Sequence, residues 1–255
     1  MSSPKPEFEL CLAASAADLR ECQALRYQVF VEELGGDGPM VDHDAKLERD
    51  AFDAHFDHLM LRDHALPGAP VVGVYRVMRD DQMQAVGRFY SEDEYDLTPL
   101  LTSGRRLLEL GRSCVRAEYR GGEALHRLWR GLTDYIDAHR IEVLFGVASF
   151  HGTDPQALAA PLSMLHHSHL APLALRTHAH PAGFQRMDLL DEDAYDRRDV
   201  MRGLPPLIKA YLRLGGFVGQ GAYIDRAFNT TDVCIIVDID EVPPRVKAMY
   251  RRGRG

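Results

Sequence analysis

The chain has 255 residues, 45% of them hydrophobic and 27% charged, and a formal net charge of −8 at pH 7. That length allows one large α/β domain with an ample core; the acidic balance speaks against a general nucleic-acid binder, and no apolar run is long enough to span a bilayer. Cys11, Cys22, Cys114 and Cys234 are scattered through apolar segments without metal-ligand spacing, which reads as reduced core thiols in a soluble, cytoplasmic protein. Met1-Ser2-Ser3-Pro4-Lys5-Pro6 runs directly into a strand-like segment with no secretory signal.

Phe8 to Ala14 reads as the first strand. Ser15 then opens a helix, with Asp18 three residues on to complete a capping box. Leu19, Cys22, Val29 and Phe30 share one face of that helix, and Arg26 falls in the middle of it. An arginine on an apolar face needs a carboxylate or a bound anion, the alternative being a side chain that snorkels to water. Gly35 to Lys46 is a polar loop, followed by Glu48-x-Asp50-x-Phe52-Asp53.

Phe56 to Leu61 and Val71 to Met78, separated by the Pro67-Gly68 turn, form a hairpin in which Arg76 interrupts the second apolar run. Ser91 to Leu101 suggests a short helical connection. Leu107 to Val115 reads as a buried strand, yet Glu109, Gly111 and Arg112 fall close together in it. Strict alternation would send Glu109 and Arg112 to opposite faces, whereas a bulge at Gly111 would bring them to one side and leave a backbone N–H unpaired. An acid, a cationic partner and an amide donor at one point on a sheet suit acyl transfer to an amine.

Arg116 to Gly122 then forms a glycine-containing turn before a helix from Gly122 to His139. Strand, turn and helix N-terminus can cradle a phosphate or a pantetheine chain on backbone amides. Val143 to Phe150 is another strand, and Pro155 to His169 is helical. Leu204 to Leu212 starts with Pro205-Pro206 and ends before Gly215-Gly216, the expected asymmetry of a helix. Phe217 to Ile224 and Val233 to Ile239 read as paired strands. No Ser/Pro/Gly-rich linker or internal repeat interrupts this order, which predicts one continuous mixed α/β domain over residues 1–255 with a C-terminal extension at about 200–240 and a basic tail at 244–255.

Charge is unevenly spread. From Arg105 to Arg140 eight arginines face five acids, a local balance of +3. The tail adds Arg245, Lys247, Arg251, Arg252 and Arg254 with no acid after Glu241. Basic patches on an acidic protein point to an acidic partner or, for the tail, an anionic membrane surface; a solvated mixed face is the plain alternative.

Four elements in this order and spacing, Arg26-x-x-Val29-Phe30, Glu48-x-Asp50-x-Phe52-Asp53, Arg76 and Glu109-x-x-Arg112, resemble the GNAT-like N-acyltransferases that take acyl groups from acyl carrier protein, including acyl-homoserine-lactone synthases. Those synthases usually carry a tryptophan after the first element, where this chain has Leu34-Gly35-Gly36. The stretch Leu204 to Asp238, with Leu-Pro-Pro-Leu-Ile-Lys-Ala-Tyr-Leu-Arg-Leu-Gly-Gly and Phe-Asn-Thr-Thr-Asp-Val, looks instead like L-ornithine N(α)-acyltransferases. The turn Arg120-Gly121-Gly122-Glu123-Ala124 departs from the usual GNAT glycine pattern, which weakens free coenzyme A as donor.

The resemblance implies a GNAT-like acyltransferase fold, with a central mixed twisted sheet flanked by helices. It also implies transfer of a 3-hydroxyacyl group from acyl carrier protein to the α-amine of ornithine, giving lyso-ornithine lipid. Glu109 is then the expected base, Gly111 the source of an oxyanion donor, and Arg112, Arg26 and Arg76 the candidates for the acceptor carboxylate, unranked. Asp50 and Asp53 would hold the acceptor's ammonium, beside Phe30. Arg116, Arg120, Gly121 and Gly122 would receive the carrier and its 4′-phosphopantetheine arm. No bound cofactor, metal or nucleic acid is expected, and peripheral contact with the inner face of the cytoplasmic membrane is an open possibility.

The alternatives are another amino-acid acceptor, an acyl-homoserine-lactone synthase, or a non-catalytic carrier- or lipid-binding module. At the residue level, Arg26, Asp50, Asp53 and Glu109 could form a purely structural ion network. Cys114 could carry an acyl group, although no histidine accompanies it in the motif. His166-His167-Ser168-His169 lacks the spacing of a metal site.

Overall fold

A computed structural model describes residues 5–120 and 122–251. In chain order the elements are β1 (Phe8–Leu12), α1 (Ala16–Arg26), a π-helical turn (Tyr27–Glu33), β2 (Asp57–Asp63), β3 (Val71–Arg79) and α2 (Asp80–Val86). A 3₁₀ turn (Tyr90–Asp93), β4 (Tyr95–Asp96), α3 (Thr98–Leu101), β5 (Leu107–Val115), α4 (Glu123–His139) and β6 (Val143–His151) follow. The remainder is α5 (Ala159–His169), β7 (His178–Ala179), β8 (Phe184–Gln185), α6 (Arg197–Gly203), α7 (Pro206–Arg213), β9 (Phe217–Val218), β10 (Ala222–Asp225), β11 (Thr230–Asp238) and α8 (Pro244–Arg251). This is the mixed α/β architecture expected from the sequence. No helix of the described residues is long and apolar enough to cross a membrane.

The chain divides into two compact units, and the division falls inside β5, after Glu109. The first unit comprises the chain up to Gly87 together with Leu110–Arg140 and the chain from Ala248. Its strands run in the order β1-β2-β3-β5. Pairing of Met60 with Val74 and of His58 with Arg76 puts these four side chains on one face, because directly opposed residues share a face and the period is two. Cys22, Leu25 and Val29 pack with Met60, Val71, Val74 and Cys114 on that face, and Phe30 borders the cluster. Leu61 and Gly73 pair on the other face. There α4 lies so close that a Cβ on Gly73 would sit 2.9 Å from Leu128 Cδ1, and one on Gly131 would overlap Leu10. Arg76 is therefore committed by alternation to the α1 side.

The second unit comprises Arg88–Glu109 and Ile141–Lys247. Leu107, Leu108 and Glu109 pair in parallel with Val143, Leu144 and Phe145. Strand β6 then runs antiparallel to β11 along its whole length, and β11 carries β10 and β9, with β8 on β10. Helix α7 starts at Pro206, and Gly215, just past its end, takes φ +86°, the left-handed conformation that stops a helix.

Several elements differ from the sequence expectation. The first helix satisfies its Ser15/Asp18 capping box but leaves α-geometry after Arg26 for a π-helical turn, a feature that periodicity does not reveal. The segment Ser91 to Leu101 is not one helix. Tyr95 is drawn into pairing with Ala179, and Asp96 caps Thr98 to start α3 afresh. Helix α2, terminated by Gly87 at φ +90°, and the elements between Leu170 and Gly203 are too short or too polar to show a period.

Candidate active site

Three arginines from three elements converge in the first unit. Arg26, the last residue of α1, is fully buried and donates from Nε to Glu48 at 2.5 Å and from Nη1 to Asp53 at 2.6 Å. Arg76 from β3, also fully buried, reaches Asp50 and Asp53 through Nη1, each at 2.7 Å, and lies 4.3 Å over the ring of Phe56. Arg112 from β5 donates to Glu48 at 3.1 Å and to Asp50 at 3.2 Å. Glu48, Asp50 and Asp53 thus alternate with Arg26, Arg76 and Arg112, three charges of each sign. The cluster is locally neutral, which is what makes its burial tolerable.

The turn Glu48–Asp53 can meet all three arginines because it is held from both ends. The Glu48 N–H donates to the Gln23 carbonyl, Gln23 Nε2 donates to Asp53 Oδ2, and Asp50 Oδ1 accepts the Phe52 N–H. Burial would raise the Glu48 carboxyl, but Arg112 and Arg26 hold it down at about 2. Burial opposes the charge of Asp53 as well, and Arg26 and Arg76 keep that carboxyl well below the usual range. His58, opposite Arg76 on β2, contacts the Asp53 carbonyl with Nε2 at 3.0 Å; burial pushes its pKa down, so it is neutral.

The sequence expectation that Asp50 and Asp53 receive the acceptor's ammonium meets a constraint here. Asp53 is 4% exposed and already holds Arg26, Arg76 and Gln23. The network opens to solvent at Arg112 and Asp50, whose side chains are 14% and 16% exposed. Glu48 is the residue that motif reasoning quoted without assigning a task. Its signal was a third acidic position in a motif with two other carboxylates.

The strand irregularity falls one residue later than expected. Arg112, not Gly111, takes a positive φ of +49°. A Cβ on Gly111 would meet nothing closer than Arg76 Nε at 3.9 Å, so space alone does not demand glycine there. A non-glycine residue in the left-handed region costs about 1–3 kcal/mol and is kept only where its surroundings impose it; the two ion pairs of Arg112 supply that constraint.

Glu109 sits in the second unit. It is 1% exposed, and its two oxygens accept the backbone N–H groups of Tyr90 at 2.9 Å and Ser91 at 2.6 Å. Phe145, its strand partner, stacks edge-on against buried Phe89 at 4.9 Å and walls this side of the carboxylate.

Among the residues expected at the carrier end, Arg116 pairs with Glu118 at 3.3 Å, and Arg120 pairs with Glu33 at 2.5 Å while donating to the Val115 carbonyl. Gly122 is the N-cap of α4, and Gly121 lies outside the described residues. The Cys114 thiol is buried and thereby pushed up to about 12, leaving little thiolate near neutrality. His167 is held between Tyr195 and Asp188. A grouping that motif reading did not single out, Glu94, Asp225 and Asp232, brings carboxylate oxygens within 4.8 Å of one another and has the chemistry to hold a cation.

An acetyltransferase (GNAT) domain matches residues 25–130, which include all three arginines and Glu109. The L-ornithine N(alpha)-acyltransferase of Rhodobacter capsulatus is 54% identical over 261 residues, covering 100% of both chains. That of Brucella abortus is 43% identical over 248 residues, 95% of this chain and 88% of its own. Among solved structures, the CoA-dependent acyl-homoserine lactone synthase BjaI with MTA aligns with TM-score 0.51 at 13% identity, covering 96% of this chain and 88% of that one. A second such synthase, MesI, aligns with TM-score 0.50 at 13% identity, covering 96% and 94%. At that identity the two structures speak to the fold alone.

Proposed function

This chain belongs to the family of L-ornithine N(α)-acyltransferases, and from that premise we propose that it moves a 3-hydroxyacyl group from acyl carrier protein to the α-amine of L-ornithine, forming lyso-ornithine lipid. The observation that carries the reading is the 54% identity over the whole chain. The geometry supports the same chemistry.

A thioester meets an amine productively only if the amine is neutral, the acceptor is oriented and the oxyanion is stabilised. Glu109, buried and oriented by two amides, takes the amine's proton. Arg112 is the strongest of the three arginine candidates for the acceptor's carboxylate, because Arg26 and Arg76 are fully buried behind it. Asp50, at the same opening, faces the acceptor's ammonium. The Gly111 N–H is the oxyanion donor, and Phe30 lines the acceptor side at the edge of the apolar cluster. The 4′-phosphopantetheine arm belongs to the donor substrate and follows Arg116 to Gly122, the segment ahead of α4. The amine attacks the thioester carbon directly, the tetrahedral intermediate collapses, and the carrier thiol leaves with the proton.

The carrier protein is an acidic partner matched to the arginines of this segment. The basic end of the chain, beginning with Arg245 and Lys247 of α8, suits peripheral contact with anionic lipid at the cytoplasmic face, where the product partitions. Mass spectrometry of the purified protein with 3-hydroxyacyl-carrier protein and a panel of amino acids tests the reaction. Acylated ornithine with released carrier thiol is expected. Product with a different amino acid moves the acceptor, and no product despite carrier binding would favour a binding module.

A further inference from the structure

We propose that the Ser91 hydroxyl relays the proton between the acceptor amine and Glu109, an inference that rests on the assignment of Glu109 as the base. Ser91 is 1% exposed, and its Oγ has no hydrogen-bond partner among the described residues. Buried hydroxyls without partners are rare because they lose their water without compensation. The fold has no use for this one. Ser91 contributes to its turn through its main chain: the N–H grips Glu109 Oε1 at 2.6 Å, and the carbonyl accepts the Glu94 N–H at 3.1 Å. Alanine would make both bonds equally well. A side chain that costs stability and serves no structural end at a reactive carboxylate marks a functional position.

Glu109 supplies the other half of the argument. The carboxylate is 1% exposed, and each oxygen already spends one lone pair on a backbone amide. A proton must reach a remaining lone pair laterally, through a group that can accept and donate at once. A hydroxyl does both, whereas an amide N–H cannot. Ser91 Oγ is carried by the same residue whose N–H holds Oε1, and the relay requires that a side-chain rotation or one intervening water join the two. As the N–C bond forms, the amine N–H breaks and its proton passes to Ser91 Oγ, while the Ser91 proton passes to Glu109 Oε1. When the C–S bond breaks, the proton returns by the same route to the departing thiolate, and both side chains recover their starting state.

Single-turnover kinetics of Ser91→Ala, Ser91→Thr and Glu109→Gln with 3-hydroxyacyl-carrier protein and ornithine, run in mixtures of light and heavy water, test this. Ser91→Ala should melt at or above the wild-type temperature and keep the ornithine KM. Its transfer rate should fall at least about tenfold, and its isotope dependence should change from curved (two protons in motion) to linear (one). Ser91→Thr should restore part of the rate and the curvature. A Ser91→Ala rate within about twofold of wild type, with unchanged curvature and an inactive Glu109→Gln, would overturn the relay while leaving Glu109 as base. So would a rate loss in Ser91→Ala matched by a large drop in melting temperature. Wild-type turnover in Glu109→Gln would remove the base assignment itself, and the relay with it.

Discussion

Glu48 holds Arg112 in a left-handed backbone conformation. The carboxylate accepts from Arg112 Nε at 3.1 Å while its other oxygen takes Arg26 Nε at 2.5 Å, and Arg112 stands at φ +49°. One side chain that is 1% exposed thus links the end of α1 to the irregular centre of β5. Breaking a buried ion pair from one side leaves the partner charge uncompensated, at a cost of about 3–5 kcal/mol. Glu48→Gln, which keeps the shape and removes the charge, is expected to lose about that much stability in chemical denaturation. It should also lose most activity, because Arg112 then loses one of the charged partners that hold its strained conformation. A variant with wild-type stability would show that the other two carboxylates suffice to hold the three arginines.

The same network sets an acid limit. The Glu48 carboxyl falls from 4.5 to about 2 on folding, and Asp53 is lowered as well. A depressed carboxyl contributes stability that is fully present above its unfolded pKa and is lost as pH falls through the folded value. Melting temperature should therefore hold down to about pH 4.5 and decline steadily toward pH 2, a window set by the Glu48 values. Glu48→Gln should flatten part of that decline. An identical slope in the variant would place the acid-sensitive carboxylates elsewhere.

How much of this was legible in the sequence depends on whether a feature is periodic. The hairpin β2–β3, helix α4 and the pair β10–β11 follow from alternation, amphipathicity and turn residues, and Arg26 and Arg76 announced themselves as charges in apolar runs. The partners of those arginines were not readable, since ion pairing depends on how the Glu48–Asp53 turn is tied to Gln23 and Phe52. Glu109 illustrates the same limit: alternation could not show that its carboxylate accepts the backbone N–H groups of Tyr90 and Ser91. The π-helical turn after Arg26 and the positive φ at Arg112 are imposed by tertiary contacts, which leave no local pattern.

Gly111 separates a steric requirement from a chemical one. A Cβ there meets only ordinary contact, 3.9 Å from Arg76 Nε, so Gly111→Ala is expected to fold normally and keep transfer within about a few-fold of wild type. If the amide is the oxyanion donor, Gly111→Pro, which deletes the N–H, should lower kcat by about 10²–10³ with little change in the ornithine KM. Circular dichroism of both variants controls for folding. Equal kcat in a folded Gly111→Pro protein would exclude this amide.

Cys114 offers a clean exclusion of a covalent route. Its thiol is buried in the cluster with Cys22, and burial pushes both to about 12. A thiol in that state is a poor nucleophile near neutrality, so Cys114→Ala should retain turnover and lose only packing, about 1 kcal/mol. Mass spectrometry of the wild-type protein quenched during turnover should find no acyl adduct. An adduct that disappears in Cys114→Ala would replace direct attack with a two-step transfer.

The carrier surface can be tested by charge reversal, with the structure dictating the control. Arg120 is tied to Glu33 at 2.5 Å and to the Val115 carbonyl, so Arg120→Glu both removes a cation and sets two carboxylates against each other. The double variant Arg116→Glu, Arg120→Glu should raise the carrier KM about tenfold at low salt, and added salt should narrow the gap, since exposed charges act through a screened field. Glu33→Gln isolates the loss of that ion pair: it leaves Arg120 in place, bonded to the Val115 carbonyl, and should keep or lower the carrier KM. A double variant whose KM is unchanged and insensitive to salt would move docking away from this segment. A KM raised equally by Glu33→Gln would mean that Arg120 serves the local structure and not the carrier.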